Sequence, residues 1–317
     1  MAGQGTYTLA MSFRGKARLD TSQVTGGGRG GRRGGAVIGG GAGGVVLLIL
    51  GLIFGGNVLG GPDGSGGLIF DPTDIIEGGA GGGLSGMDFS QCQTGADANT
   101  NDTCRVIGTV NSVQDYWSEA LPADADRQYR EARTVIYSGS TESGCGTASA
   151  ATGPFYCPPE EMIYIDAAFF DELTTTFGAD GGSFAQMYVV AHEYGHHVQQ
   201  LLGVLGAAQQ DREGADSGSV RIELMADCLA GVWANNASST EDESGQALLE
   251  PLTQDDIDSA LSAASAIGDD RIQSSAGQRV NPESWTHGSS EQRQRWFLAG
   301  YDGGTMNSCN TLDAEQL

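Results

Sequence analysis

Three of the four histidines in this 317-residue chain fall within "VVAHEYGHHVQQ", residues 189–200. His192 and His196 are four residues apart, and on an α-helix that spacing puts both imidazoles on one face, roughly 6 Å apart at Cβ. Two neutral nitrogens so placed can hold one divalent ion. Zinc suits them because it is tetrahedral and accepts imidazole nitrogen at about 2.0–2.1 Å. Glu193 is rotated by one residue from His192, so it cannot be an equivalent third ligand, but it can reach a water at the ion's open position. This is the HExxH pattern, in which the acid serves as general base towards a water that the ion has acidified.

A third ligand has to come from elsewhere. "RIELMADCLAG" sets Glu223 and Asp227 four residues apart, again on one helical face. Glu223, among Ile222, Leu224 and Met225, completes a two-histidine, one-glutamate set. Asp227 can accept a hydrogen bond from the far nitrogen of a ligand histidine, fixing that ring's tautomer and orientation. Other zinc plans fit less well. The metzincin pattern needs glycine three residues and histidine six residues beyond His196, where this chain has Gln199 and Leu202. A cysteine ligand, Cys157 or Cys228, lacks a matching context. His287, in "SWTHGSSEQRQRW", is either the donor that stabilises an oxyanion or a loop residue capping the next helix. His197, one turn after Glu193, either bonds to that acid or faces solvent, and solvent is the expectation.

These residues need elements to position them. Over residues 183–203, Phe184, Met187, Ala191, Tyr194, Val198, Leu201 and Leu202 step by three or four, an apolar helical stripe that Ser183 can cap at its start and Gly203 at its end. A second helix is expected over 219–236, and another over 110–121, ended by Pro122. Residues 133–139 and 161–170 begin as strands, with Asp166 placed to cap a helix through "AAFFDELTTTFG". Thr253 with Asp256, and Ser289 with Gln292, resemble capping boxes for two later helices. The expected fold class is α+β, mainly helical, with a few strands before the histidine helix. The strand at "MIYID" is a candidate to pair with an extended substrate.

Composition bounds the setting. Residues 1–35 carry six basic residues against Asp20, a balance of +5, while the rest of the chain has 10 basic and 39 acidic residues, or −29, for a net −24. The acidic part would be repelled by nucleic acid, which argues against that partner. Between the two regimes, residues 36–60 contain no ionisable side chain and are long enough to cross a bilayer as a helix. The basic flank fits the positive-inside rule and would leave 1–35 in the cytoplasm as a tail, with the remainder outside. A cleaved signal peptide is the alternative, though "NVLGG" is a poor cleavage site. Residues 61–90 read as a glycine-rich linker and 91–317 as the folded domain. Six cysteines without a CxxC pair suggest disulfides in an oxidising compartment. Joining neighbours would pair Cys92 with Cys104 and Cys145 with Cys157, leaving Cys228 and Cys309, but spacing alone does not fix the connectivity.

"YVVAHEYGHHVQQLLG", "VRIELMADCLAGVWA", "ALSAASAIGDDRIQ" and "THGSSEQRQRWFLAGY", with "CGTASAATGPFYCPPEEMIYIDAAFFDEL" before them, resemble the bacterial putative neutral zinc metallopeptidases. The resemblance runs from about residue 100 to 310, with the motifs in the same order. It implies a zincin-like domain with His192 and His196 as zinc ligands, Glu193 as catalytic base and Glu223 as third ligand, preceded by a basic tail, a hydrophobic segment and a glycine-rich spacer. The Glu223–Asp227 pair also looks like the ExxxD element of thermolysin-like gluzincins. The expectation is a single-pass, membrane-anchored, extracytoplasmic zinc peptidase of the bacterial cell membrane, acting on peptides or proteins. Its rival is an envelope scaffold or binding module in which zinc only staples the fold. A structural zinc takes a full set of protein ligands, whereas a catalytic one keeps a position open.

Overall fold

A computed structural model describes residues 13–27, 87–149 and 152–317. Strand β1 (Val24–Gly26) comes first. Helices α1 (Gly95–Thr100) and α2 (Asp102–Ala125) follow, then strands β2 (Arg133–Tyr137), β3 (Ser140–Ser143), β4 (Gly146–Ser149), β5 (Phe155–Cys157) and β6 (Met162–Asp166). The remainder is helical: α3 (Phe169–Thr175), α4 (Ser183–Leu202), α5 (Ala207–Gln210), α6 (Gly218–Asn236), α7 (Gln254–Ala266), α8 (Asp269–Ser275) and α9 (Ser290–Gly303). The fold is α+β, and about half of the described residues are helical rather than most of them.

The sheet has strand order β1-β2-β6-β5, with β1, β2 and β6 parallel and β5 antiparallel to β6. Because side chains alternate along a strand, "RTVIY" and "MIYID" serve two cores at once. Ile136, Ile163 and Ile165 face the main core with α4, while Val135, Tyr137 and Tyr164 pack with Phe155 and Ala148 on the other face. Strand β6 is hydrogen-bonded on both sides, by β2 and β5, so "MIYID" has no free edge for a substrate. Among the described residues the free edge on that side belongs to β5.

Several helix boundaries differ from the sequence expectation for local reasons. Helix α2 passes through Pro122, which sits in its last turn, and stops at Asp126 in the left-handed conformation. Asp166 caps a turn, accepting from the Ala168 amide at 3.0 Å, and α3 starts only at Phe169. Gly182 rather than Ser183 is the N-cap of α4, and Gly203 ends it at φ 79°. Both later capping boxes are formed, Thr253–Asp256 ahead of α7 and Ser289–Gln292 ahead of α9.

The basic N-terminal stretch is the main departure. Residues 13–27 are part of the fold: Phe13, Ala17, Leu19 and Val24 are buried in the main core, and β1 extends the sheet beside β2. The Phe13 backbone is clamped by Asn99, whose Oδ1 accepts at 2.7 Å and whose Nδ2 donates at 2.9 Å. That packing makes residues 13–27 part of the domain's core rather than a separate tail. Its charges mislead because arginine and lysine at this segment's surface accompany an alternating set of buried apolar residues. The expected membrane segment 36–60 and most of the linker 61–90 lie outside the described residues. Among the described residues no helix is long and apolar enough to cross a membrane.

All six cysteines are paired, as Cys92–Cys104, Cys145–Cys157 and Cys228–Cys309. The last ties α6 to the segment after α9, and with both of its cysteines and Cys157 engaged, no thiol remains as a ligand.

Candidate metal centre

Helix α4 brings His192 and His196 to one face, and their rings stand nearly perpendicular, 88° apart. Helix α6 crosses α4 closely because Gly195, inside the histidine motif, has no side chain. A Cβ there would come within 2.9 Å of the Ala226 Cα. This approach carries Glu223 to the two imidazoles. His192 Nε2 lies 3.2 Å from Glu223 Oε2, and His196 Nε2 lies 3.6 Å from Glu223 Oε1. One ligand atom from each of the three residues lies within 4.8 Å of the others. Tetrahedral zinc with ligands at about 2.0–2.1 Å separates them by roughly 3.3 Å, and each imidazole Nε2 has a Glu223 oxygen close to that distance. The donor set and its spacing therefore fit a zinc ion.

The outer nitrogens of both rings are occupied. His192 Nδ1 is 2.7 Å from Asp227 Oδ1, and His196 Nδ1 is 2.9 Å from Gln199 Oε1. Each contact fixes the ring so that Nε2 points at Glu223. Gln199 is itself buried and held by the Ile222 carbonyl, to which its Nε2 donates. Asp227 sits in a network that the sequence did not announce. Arg293, on α9, donates to both of its carboxylate oxygens, at 2.8 and 2.9 Å, and the Tyr188 hydroxyl also donates to it.

Charge at the centre is set by burial against these contacts. Burial alone would raise the Asp227 pKa, but Arg293 and His192 hold it at about 2. Burial disfavours charge on His192, yet Asp227 and Glu223 reverse that and raise it to about 10. Glu223 is likewise opposed by burial and brought well below the usual carboxylate range by His196 and His192. Glu193 differs: it is buried beside the cluster, and desolvation raises its pKa despite the two histidines. A carboxylate so placed takes up a proton more readily than an exposed one.

His287 lines the same cleft as His192, Glu193, His196 and Glu223. Its Nδ1 is engaged by the Thr286 hydroxyl at 2.8 Å and by Asp269 Oδ1 at 3.3 Å. The other Asp269 oxygen accepts from the backbone amides of Thr286, His287 and Gly288. His287 is therefore held by α8 and the loop before α9, and is no mere helix cap; Ser289 caps α9. His197 is neither exposed nor bonded to Glu193. It is fully buried behind α4, between the Tyr156 hydroxyl at 3.0 Å and the Arg130 carbonyl at 2.6 Å.

The site residues expected from the sequence thus converge on one cleft, apart from Asp227, which lies behind His192. Four further contributors carried no motif: Tyr188, Gln199, Asp269 and Arg293. A helical signal existed for three of them. Tyr188 precedes His192 by four residues, Gln199 follows His196 by three, and Arg293 shares the buried face of α9 with Phe297 and Gly300. Asp269 gave no periodic signal.

The chain matches the family described as "Putative neutral zinc metallopeptidase" over residues 11–312, and it belongs to that family. The match takes in the N-terminal stretch that the fold incorporates. An uncharacterized protein of Mycobacterium tuberculosis is 54% identical over 233 residues, covering 73% of this chain and 78% of the relative. The uncharacterized protein YpfJ of Escherichia coli K12 is 39% identical over 280 residues, covering 81% of this chain and 92% of the relative. No solved structure matches the chain significantly.

Proposed function

We propose that this chain is a zinc-dependent peptidase that hydrolyses peptide bonds with an activated water. One observation carries the reading: a buried two-histidine, one-glutamate cluster of zinc-compatible spacing shares a cleft with an additional carboxylate, Glu193, that is not among the three ligands. Three protein ligands leave a tetrahedral ion one open position, the mark of a catalytic rather than structural site. The ion would acidify a water there and polarise the scissile carbonyl. Glu193 would take a proton from the attacking water and deliver it to the departing amine, a general base turned general acid. His287, with Nδ1 committed to Thr286 and Asp269, offers its Nε2 face to the oxyanion that develops on the carbonyl oxygen. An extended substrate would lie along the free edge of β5, whose approach residues Gly153 and Pro154 line the cleft.

Replacing Glu193 tests the reading. In Glu193→Gln, kcat is expected to fall by about 10²–10⁴-fold, with zinc content and melting temperature retained. Unchanged hydrolysis would remove Glu193 from the reaction. Zinc retention with no peptide hydrolysis in the parent protein would favour a scaffold.

Location is a further part of the proposal. Three disulfides support an oxidising, extracytoplasmic compartment. The shared core then requires residues 13–27 to lie on that same side. Lys16, exposed on this segment, should react with a membrane-impermeant amine reagent added to spheroplasts. Protection of Lys16 until lysis would argue against this placement.

A further inference from the structure

The cleft beside the metal centre has unequal walls. Its polar lining is the three ligand residues, Glu193, His287 and Arg293. The rest of the lining is Gly153, Pro154, Phe169, Phe177, Val189, Ile267 and Tyr188. Val189 is four residues before Glu193 on α4, so this apolar wall starts one helical turn from the base. Phe169 and Phe177 lie at a ring-centroid distance of 6.4 Å, and Phe177 and Ile267 remain partly exposed. The cation in the lining is no partner for an acidic substrate, because Arg293 is already bonded to both oxygens of Asp227.

Resting on the peptidase reading, we infer that the site takes substrates with a bulky apolar side chain next to the scissile bond, seated between Phe169, Phe177, Val189 and Ile267. A charged side chain placed there would lose its hydration without gaining a partner. An apolar one removes from water both its own surface and what the wall still exposes. A hydrophobic seat discriminates by size about 10–200-fold per methylene, so the preference should be graded among apolar residues and steep against charge.

The test uses the zinc-loaded full chain and quenched fluorescent peptides varied one residue at a time on each side of the cleaved bond. At one flanking position, Leu or Phe should exceed Asp and Lys by at least about 100-fold in kcat/KM. Val189→Phe, which fills the seat, should shift that preference towards Ala by about 10-fold or more. Equal cleavage with Leu, Asp and Lys at every position would overturn the inference. A second arm is independent of turnover: ligand-observed NMR of metal-free protein with N-acetylphenylalanine amide and N-acetylaspartate amide. Saturable binding of the first alone, abolished in Val189→Phe, supports the seat even where no peptide is cleaved. In that event the reaction fails and the seat stands. Indifference between the two amides, or no binding of either, overturns the seat whatever the peptidase assay gives.

Discussion

Two histidines of the cleft are each paired with an aspartate, and the pairs are built differently. The His192–Asp227 pair sits between three long helices. Asp227 is held by side chains, Arg293 and Tyr188, and every residue of the arrangement is buried. The His287–Asp269 pair is held by a loop, with one Asp269 oxygen gathering three consecutive backbone amides. In the proposed peptidase the first would align a metal ligand, which must not move. The second would present a donor to a group that exists only during the reaction, and a loop tolerates the small adjustment this needs. Similar pairs of residue types thus do different work because of what stands behind the carboxylate.

That contrast can be broken by mutation. The largest effect is expected for Asp227→Ala, which strands Arg293 in the core. Stability should fall by about 3–5 kcal/mol, read as a shift in the urea midpoint, and zinc affinity by about 10–100-fold. If both hold at parent values, the three-helix network does not position His192. Asp269→Asn should behave in the opposite sense. Zinc content should be unchanged and kcat reduced by about 10²-fold, with a stability cost near 1 kcal/mol for weakened amide bonds. A loss of zinc in this variant would erase the distinction between the pairs.

Acid titration sharpens the comparison with a smaller effect. Both aspartates have folded-state pKa values below the ordinary 3.8, Asp227 at about 2. Near pH 3.8 the unfolded chain takes up the proton that the folded chain still refuses, so each contribution to stability is complete above that pH. It is lost as pH falls towards the folded value. Asp227→Asn and Asp269→Asn should each flatten the stability–pH curve between about pH 4 and 2. A curve unchanged by both substitutions would mean that neither carboxylate is held ionised by its surroundings.

Much of the centre was legible in the chain because it depends on helical spacing, which is local. His192 and His196, and Glu223 and Asp227, are each four apart, and that alone sets two faces. The capping residues Thr253 and Ser289 were readable for the same reason. The β5 edge was not, since which strand ends a sheet depends on partners distant in sequence, and "MIYID" is more strand-like than the short "FYC" that covers it. The N-terminal stretch misled because charge is the loudest local feature, whereas Phe13 and Val24 find their partners roughly a hundred residues away.

What the sequence determined by itself was the residue types on each helix and their phase: two imidazoles four apart, two carboxylates four apart, and Glu193 one step out of phase with His192. What the tertiary structure decided was convergence. Gly195 permits α4 and α6 to close until Glu223 reaches both imidazoles. Arg293 arrives from α9 to neutralise Asp227, and residues 13–27 join the same core. The physical reason is that backbone hydrogen bonding repeats over a few residues and can be read along the chain. Close approach and charge compensation depend on which surfaces meet, and only the folded packing settles that.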